Sequence, residues 1–489
     1  MTPPPASPTP PRRTSAGART VPVVALLVLV EFCSGILQGG FPILLPHLRD
    51  SLHLGAGTVS LALGVEFLVS GVALPVTSRL GDLHGHRLWL RITVALTLAG
   101  YLLSAAAAVA GSLPLLLLGR ALAGFLSCWL PLEFAIIRDR MGERRGGRAV
   151  GLLVGSLTLG STLGALVVGG LSGAGAGPQP LLWGLAALPA LALPVVWFLV
   201  PESSVRAPGG IDWSGVALLS LGLTLLLGAL GGGAPIGAAV ALFAVGALLL
   251  ALFVRQELRS TRPMVDVRLL ARRATAPVFA LSFLLGCALY GAQGPMLTFE
   301  AATRADDGYG LGVSTLGLGL LALPPTLGAM AGAITADRLA RRFGFRPILT
   351  LAFAVCTLGY GSVALAHGVA WQIAVPGAVS GYGAGIGLSL LPSLLMRRMP
   401  ADRTGIGTGI YNTLKSLAGA FAGAGAAALL DHWVLRHGVP TEGAYVAVWT
   451  CCALLCALGV PVALALRGEG PAALSAAEPL ATGTAAARP

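Results

Sequence analysis

The sequence predicts an all-α integral membrane protein with fourteen transmembrane helices, and three observations carry that expectation. Hydrophobic residues make up 55% of the 489-residue chain and charged residues 11%, with a mean hydropathy of +0.83; a soluble fold of that composition would expose apolar surface on every side. Fourteen apolar stretches come close to the roughly 20 residues that cross a hydrocarbon core of about 30 Å. A charged cassette, Arg79-Leu80-Gly81-Asp82-Leu83-His84-Gly85-His86-Arg87, has an echo at Asp337-Arg338-Leu339-Ala340-Arg341-Arg342-Phe343-Gly344-Phe345-Arg346, and each separates two of those stretches.

Residues 1–20, rich in Pro, Thr and Ser with three Arg, read as a disordered tail. The first apolar run, 23–45, is too long for a signal-peptide core and reads as an uncleaved span. Span 58–78 leads into the first cassette, and spans 89–110 and 113–136 are joined by Gly111-Ser112 alone. Pro131 then leads into Arg138, Arg140, Met141 and Arg144, before spans 149–172 and 180–200. Spans 213–230 and 235–254 carry no charged residue between Trp213 and Val254 and look like an inserted pair, followed by a surface connection from Arg255 to Arg273. Spans 276–298 and 314–336 lead into the second cassette. After 347–366 and 371–395, Pro392 leads into Arg397, Arg398, Met399 and Arg403, and spans 405–428 and 443–466 close the series. The tail after Arg467 is mostly Ala, Gly and Pro and is left disordered.

Both echoes are offset by eight spans, so the simplest organisation is a disordered N-tail (1–20), a six-helix bundle (21–202), the inserted pair and linker (203–273), a second six-helix bundle (274–467) and a disordered C-tail (468–489). Internal repeats of this kind are how secondary transporters build two bundles that rock about a central site. With the N-terminus inside, 27 of the 32 basic residues fall on the cytoplasmic side, counting Arg91 at the cytoplasmic edge of its span, three (Arg49, Arg304, Arg436) outside and two (Arg120, Lys415) deeper within spans. Lys and Arg concentrate in cytoplasmic loops, so both termini are expected there.

The net charge of +12 lies in short loops beside spans, where anionic head groups attract it; the partner it implies is the lipid bilayer, not nucleic acid. The seven cysteines lie in apolar runs without His or carboxylate at ligand spacing, so no metal site is expected. No phosphate-binding Gly-Lys-Ser/Thr loop is present, and neither an enzyme nor a cofactor is implied. An Arg-to-Lys ratio of thirty-one to one points to a GC-rich genome and hence a bacterium.

These residues resemble the major facilitator superfamily, and within it the fourteen-span branch that includes proton-coupled drug exporters. The resemblance implies the major facilitator fold over nearly the whole chain. Asp82, Gly85, His86 and Arg87 match the family's gate-loop signature, with Ser78 in place of its first Gly and Leu83 in place of its first basic residue; Asp337 and Arg338 are the counterparts in the second cassette. In the family this loop helps hold the cytoplasmic side closed. Leu117-Leu118-Gly119-Arg120 followed by Gly124 is similar to the second signature, whose Arg lies within the membrane. Gly151, Gly160, Gly164 and Gly169 fit the glycine ladder of the antiport segment, but Ala165 stands where its Pro is expected and Val168 where another Gly is.

A buried Arg costs several kcal/mol, about 2.5 to 3.5 on insertion scales, and needs a partner or a water-filled cavity. Glu31, Glu66 and Glu133 are carboxylates within spans, and Glu31, Ser34 and Gln38 share a helix face by their spacing of three and seven. The family's usual Asp in the first span has no match here. Burial favours a neutral carboxyl and a nearby Arg a charged one, so a helix movement that changes the distance from Glu66 or Glu31 to Arg120 would make a proton switch. Glu133 is expected at the cytoplasmic interface. Lys415, the only lysine, falls near the midplane and could anchor an anionic substrate or a structural pair. If the family's cavity-lining helices hold, Gln38, Phe41, Trp129, Tyr290, Gln293 and Tyr382 supply the aromatic and amide groups that suit an amphipathic molecule.

The expectation is a monomeric, multi-pass transporter in a bacterial plasma (inner) membrane that exports a small organic compound in exchange for protons by alternating access. Uptake or facilitated diffusion is the alternative that Ala165 favours, and a non-transporting sensor or scaffold is the alternative of another class. One charge crossing 100 mV releases about 2.3 kcal/mol and one pH unit adds about 1.4 kcal/mol per proton, enough for a gradient of a few hundredfold.

Overall fold

The computed structural model describes residues 20–202, 210, 212–230, 235–260, 267–398, 404–433 and 439–466. The tails expected at 1–20 and 468–489, Thr20 apart, lie outside the described residues, as do Met399, Arg403 and Arg436. The side chains of Arg138, Arg140, Met141 and Arg144 also lie outside them.

Long apolar runs leave lipid as the only solvent, and a helix satisfies every backbone polar group within its own segment. The described residues accordingly form an all-α membrane fold. Its long helices are α1 (Val23–Ile43), α2 (Ala56–His84), α3 (His86–Ala110), α4 (Leu113–Ile137), α5 (Gly151–Gly173), α6 (Pro178–Leu199), α7 (Trp213–Leu230), α8 (Gly237–Arg259), α9 (Ala276–Ala301), α10 (Thr315–Phe343), α11 (Phe345–Leu365), α12 (Trp371–Arg397), α13 (Ile410–His432) and α14 (Glu442–Leu464). Thirteen of them are long and apolar enough to cross a membrane; α7, with 18 residues, reaches about 27 Å at 1.5 Å per residue and falls just short.

The cassettes are not loops. Each is helix on both sides of a single glycine: α2 runs to His84 and α3 begins at His86, while α10 runs to Phe343 and α11 begins at Phe345. Gly85 (φ 117°) and Gly344 (φ 89°) turn the chain through backbone angles that a Cβ resists. The end of the molecule that carries both cassettes is called the basic end here, and the opposite one the far end.

Helices α1 to α6 pack among themselves, as do α9 to α14, while α7 and α8 pair with each other and α7 leans on α2 and α13. Small residues let membrane helices approach closely, since lipid supplies no hydrophobic drive between them. On α1 and α5 the glycines interleave: a Cβ at Gly35 or Gly39 would press on the Leu157 or Ser161 carbonyl, and one at Gly160 or Gly164 on those of Phe32 and Ile36. A second seam joins α2 to α13, where Gly64 faces Gly423 and Gly71 faces Leu417. The contact between α5 and α10 is made by the far-end turn of α10, Thr315–Leu321, before Pro324 and Pro325 bend that helix.

Candidate functional site

Arg120, 1% exposed on α4, donates to the Glu66 carboxylate on α2. Its guanidinium carbon lies 3.4 Å from the Phe41 ring centroid on α1 and 5.2 Å from that of Tyr101 on α3. Ion pairing and two ring faces together offset the desolvation of the Arg. Local structure makes the approach possible. Just beyond Arg120, α4 tightens into a 3-10 turn over Gly124–Cys128, and Gly124 lies against the Glu66 carbonyl where a side chain would not fit. Ser70 on α2 donates to the Gly124 carbonyl at 2.8 Å, locking the two helices at this level.

Glu31 does not join Arg120. It faces Glu133, and both side chains are 0% exposed. Each carboxyl is close enough to act on the other, yet none of their four oxygens has a hydrogen bond of ordinary geometry among the described residues. Glu133 is therefore not an interfacial residue as its place in the span suggested, because α1 covers it. Ser34 approaches Glu31, and Gln38 Nε2 donates to Ser34 Oγ at 3.1 Å, so the polar stripe of α1 is a connected line.

Lys415 on α13 sits with its Nζ 5.8 Å from the Tyr411 ring centroid, and no carboxylate pairs with it among the described residues. Tyr290 on α9 packs its ring 4.3 Å from that of Phe67 on α2. This ring contact joins α2 and α9, one from each helix set.

A cavity of about 240 Å³ opens between α1, α5, α9 and α10 on the far-end side of these charges. Gln38 and Gln293 line it, joined by Ser161, Thr162, Thr326 and Glu300. Phe41, Trp129, Tyr290 and Tyr382 do not: Phe41 stacks on Arg120, Trp129 is 0% exposed in the α1–α6 core, Tyr290 packs on Phe67, and Tyr382 meets Thr335 Oγ1 at 3.1 Å. Glu300, only 4% exposed, is a residue that sequence reasoning missed. Its one signal was its spacing of seven from Gln293, which puts both on one helix face.

Three polar contacts join elements of the far end beside this cavity. Arg49 pairs with Asp307 at 3.8 Å, His47 meets Thr315 Oγ1 at 3.1 Å, and Ser172 Oγ donates to Thr315 Oγ1 at 3.1 Å. Along α5, Gly160 and Gly164 serve the α1 seam, Gly169 lies against the Thr315 carbonyl, and Ala165 presents its carbonyl to Gly319 on α10. Gly151 faces open space.

At the basic end the first cassette is bonded within its own helix set. Asp82 contacts His86 Nε2 at 3.1 Å, Arg87 donates its backbone N–H to Glu202 at 3.2 Å, and Arg87 and Arg91 both donate to the Trp197 carbonyl. Asp337 and Arg338 are exposed.

Residues 27–423 match the family model of the Major Facilitator Superfamily. The chain is 26% identical over 420 residues to the quinolone resistance protein NorB of Staphylococcus aureus (strain MRSA252), covering 83% of this chain and 87% of that protein. It is 27% identical over 424 residues to the multidrug efflux pump LfrA of Mycolicibacterium smegmatis, covering 83% of this chain and 80% of that one. Among solved structures, the nucleoside transporter NupG superposes with a TM-score of 0.63 at 14% identity, over 91% of this chain and 98% of its own. A POT family peptide transporter in an auto-inhibited state superposes at 0.62 with 18% identity, over 91% and 95%. At such identities the two structures speak to the fold alone.

Proposed function

The chain belongs to the major facilitator superfamily, and from that premise we propose that it exports a small organic compound, drug-like or metabolic, in exchange for protons. It is a multi-pass membrane protein of the bacterial plasma membrane and a secondary transporter that works by alternating access, not an enzyme. Fourteen spans with both termini in the cytoplasm, two six-helix bundles (21–202 and 274–467) and an inserted pair with its linker (203–273) form the working unit, a monomer in lipid. The basic end is then cytoplasmic, and the Arg49–Asp307 pair lies toward the outside.

The observation that carries the proposal is the Glu66–Arg120 pair, buried among Phe41 and Tyr101. A proton taken by Glu66 cancels its charge and frees Arg120, which changes how α2 and α4 hold each other. Gln38, Gln293 and Glu300 offer the cargo amide and carboxylate partners in the cavity, and Lys415 beside Tyr411 is a second intramembrane charge, on α13. Asp82, Gly85, His86, Arg87, Asp337 and Arg338 form the cytoplasmic gate. Drug export as the direction is supported by the quinolone resistance and multidrug efflux proteins to which the chain is similar. Uptake or facilitated diffusion is the second reading, favoured by Ala165 in the place of the antiport segment's Pro.

Inside-out vesicles carrying the overexpressed protein, energised to an acidic interior and challenged with fluoroquinolones and cationic dyes, test the reading. Export predicts substrate-dependent loss of the pH gradient that disappears in Glu66→Gln. Dye movement that ignores the pH gradient in wild type rejects antiport in favour of facilitated passage.

A further inference from the structure

We infer that Glu31 and Glu133 form a second proton site, which exchanges one proton per transport cycle with water of the central cavity by way of the Ser34 hydroxyl, with Gln38 holding that hydroxyl in line. The inference rests on the proton-coupled reading above and deepens it, since it raises the number of protons moved per turnover by one.

The argument starts from what the pair lacks. Both carboxyls are 0% exposed, each acts on the other, and their four oxygens have no hydrogen bond of ordinary geometry among the described residues. An anion here meets neither water nor a cation, and a second anion beside it is excluded by their mutual repulsion at low dielectric. A proton on each carboxyl removes both costs. Of the titratable groups on the helices packed against α1 and α4, Arg79 and His84 lie in the last two turns of α2 and Tyr290 packs on Phe67, and the following are engaged elsewhere. Glu66 and Tyr101 turn to Arg120, Asp82 and His86 to each other, Arg87 and Arg91 to Trp197, while Glu300 lines the cavity and α5 and α6 carry no titratable residue.

Access to the pair is also built in. Gln38 lines the cavity and donates to Ser34 at 3.1 Å, and Ser34 approaches Glu31. When cavity water reaches Ser34, a proton leaving Glu31 passes to the Ser34 oxygen as that hydroxyl gives its own proton to the water, Gln38 staying a donor throughout, and the same water makes the negative charge left behind tolerable. Rewetting from the other side returns a proton from bulk water to the same carboxyl. No other atom changes hands.

The test uses purified protein in proteoliposomes with ethidium as the probe, reading the pH gradient that just balances a dye gradient and hence the protons exchanged per dye. Glu31→Gln and Glu133→Gln, near-isosteric changes, are each expected to lower that number by one while transport continues, whereas Glu66→Gln abolishes coupling. A parallel infrared measurement needs no cargo. The carbonyl stretch of protonated carboxyls at neutral pH is expected to survive Glu66→Gln and to lose intensity in the Glu31→Gln, Glu133→Gln double variant. An unchanged proton number in both single variants, or full infrared intensity in the double variant, overturns the inference. Absence of dye transport by wild type counts against export alone, and the infrared result then decides for or against the pair.

Discussion

Arg49 and Asp307 meet at 3.8 Å across the far end, tying the short helix Leu45–Ser51 to the loop between α9 and α10. With side chains 14% and 15% exposed, the pair is neither buried nor fully solvated. Asp307 also accepts the Thr303 backbone N–H at 3.2 Å, a bond that an amide can keep. Asp307→Asn thus removes charge but little else. The expected outcome is a shift toward outward opening of up to about fivefold, the equivalent of about 1 kcal/mol for such a pair. Spin labels at Ser112 and Val369 would report it as a longer distance population, and Arg49→Asp combined with Asp307→Arg should reverse it.

The Glu66–Arg120 pair yields a stability prediction distinct from flux. Glu66→Ala strands a charge that is 1% exposed, and removing one member of a buried pair costs about 3–5 kcal/mol. Glu66→Gln leaves an amide oxygen to accept from Arg120 and is expected to cost less. Thermal unfolding in detergent should rank wild type above Gln and Gln above Ala; equal melting of the two variants would show that Arg120 finds its support in the rings alone.

Glycines of α5 differ in what surrounds them. Gly164→Ala would drive a methyl into the Ile36 carbonyl of α1, and overpacking of this kind costs about 1–3 kcal/mol or more. Gly151 has nothing within 4 Å, so Gly151→Ala is expected to be neutral or to stabilise the helix by up to about 1 kcal/mol. Yield of monodisperse protein and melting temperature check both; a damaging Gly151→Ala would reveal a partner in another state of the cycle.

Gly85→Ala and Gly344→Ala place a Cβ at φ 117° and 89°, with an expected cost of about 1–3 kcal/mol each. Asn, which tolerates the left-handed helical region, should not rescue either site, because their ψ values of 133° and 161° lie outside that region. Rescue by Asn in a melting assay would mean that the turn relaxes to another geometry.

The helices were legible because span length is set by the bilayer and needs no tertiary information. That Arg120 needs a partner was legible for a similar reason, since a midplane Arg must find one, but the sequence left Glu66 and Glu31 both open for that place. Rotation about each helix axis was not. Spans apolar on all sides carry no face signal, so Phe41 and Trp129 were expected in the cavity and instead pack within the first helix set. Depth alone put Glu133 at an interface, but what covers a residue depends on the facing helix, here α1 with Glu31. Glu300 is hidden in the sequence because the apolar residues stop at 298, while α9 continues to Ala301 and carries the carboxyl into the cavity wall.

The interleaved glycines of α1 and α5 also bear on how such a protein evolves. What meets Gly35, Gly39, Gly160 and Gly164 is main chain, which every residue type carries, so no second-site substitution can make room for a side chain there. That seam cannot drift by paired replacement as a core of side chains can. Adaptation to new cargo must be written on the surfaces around it, with the two helices inherited as one fixed axle.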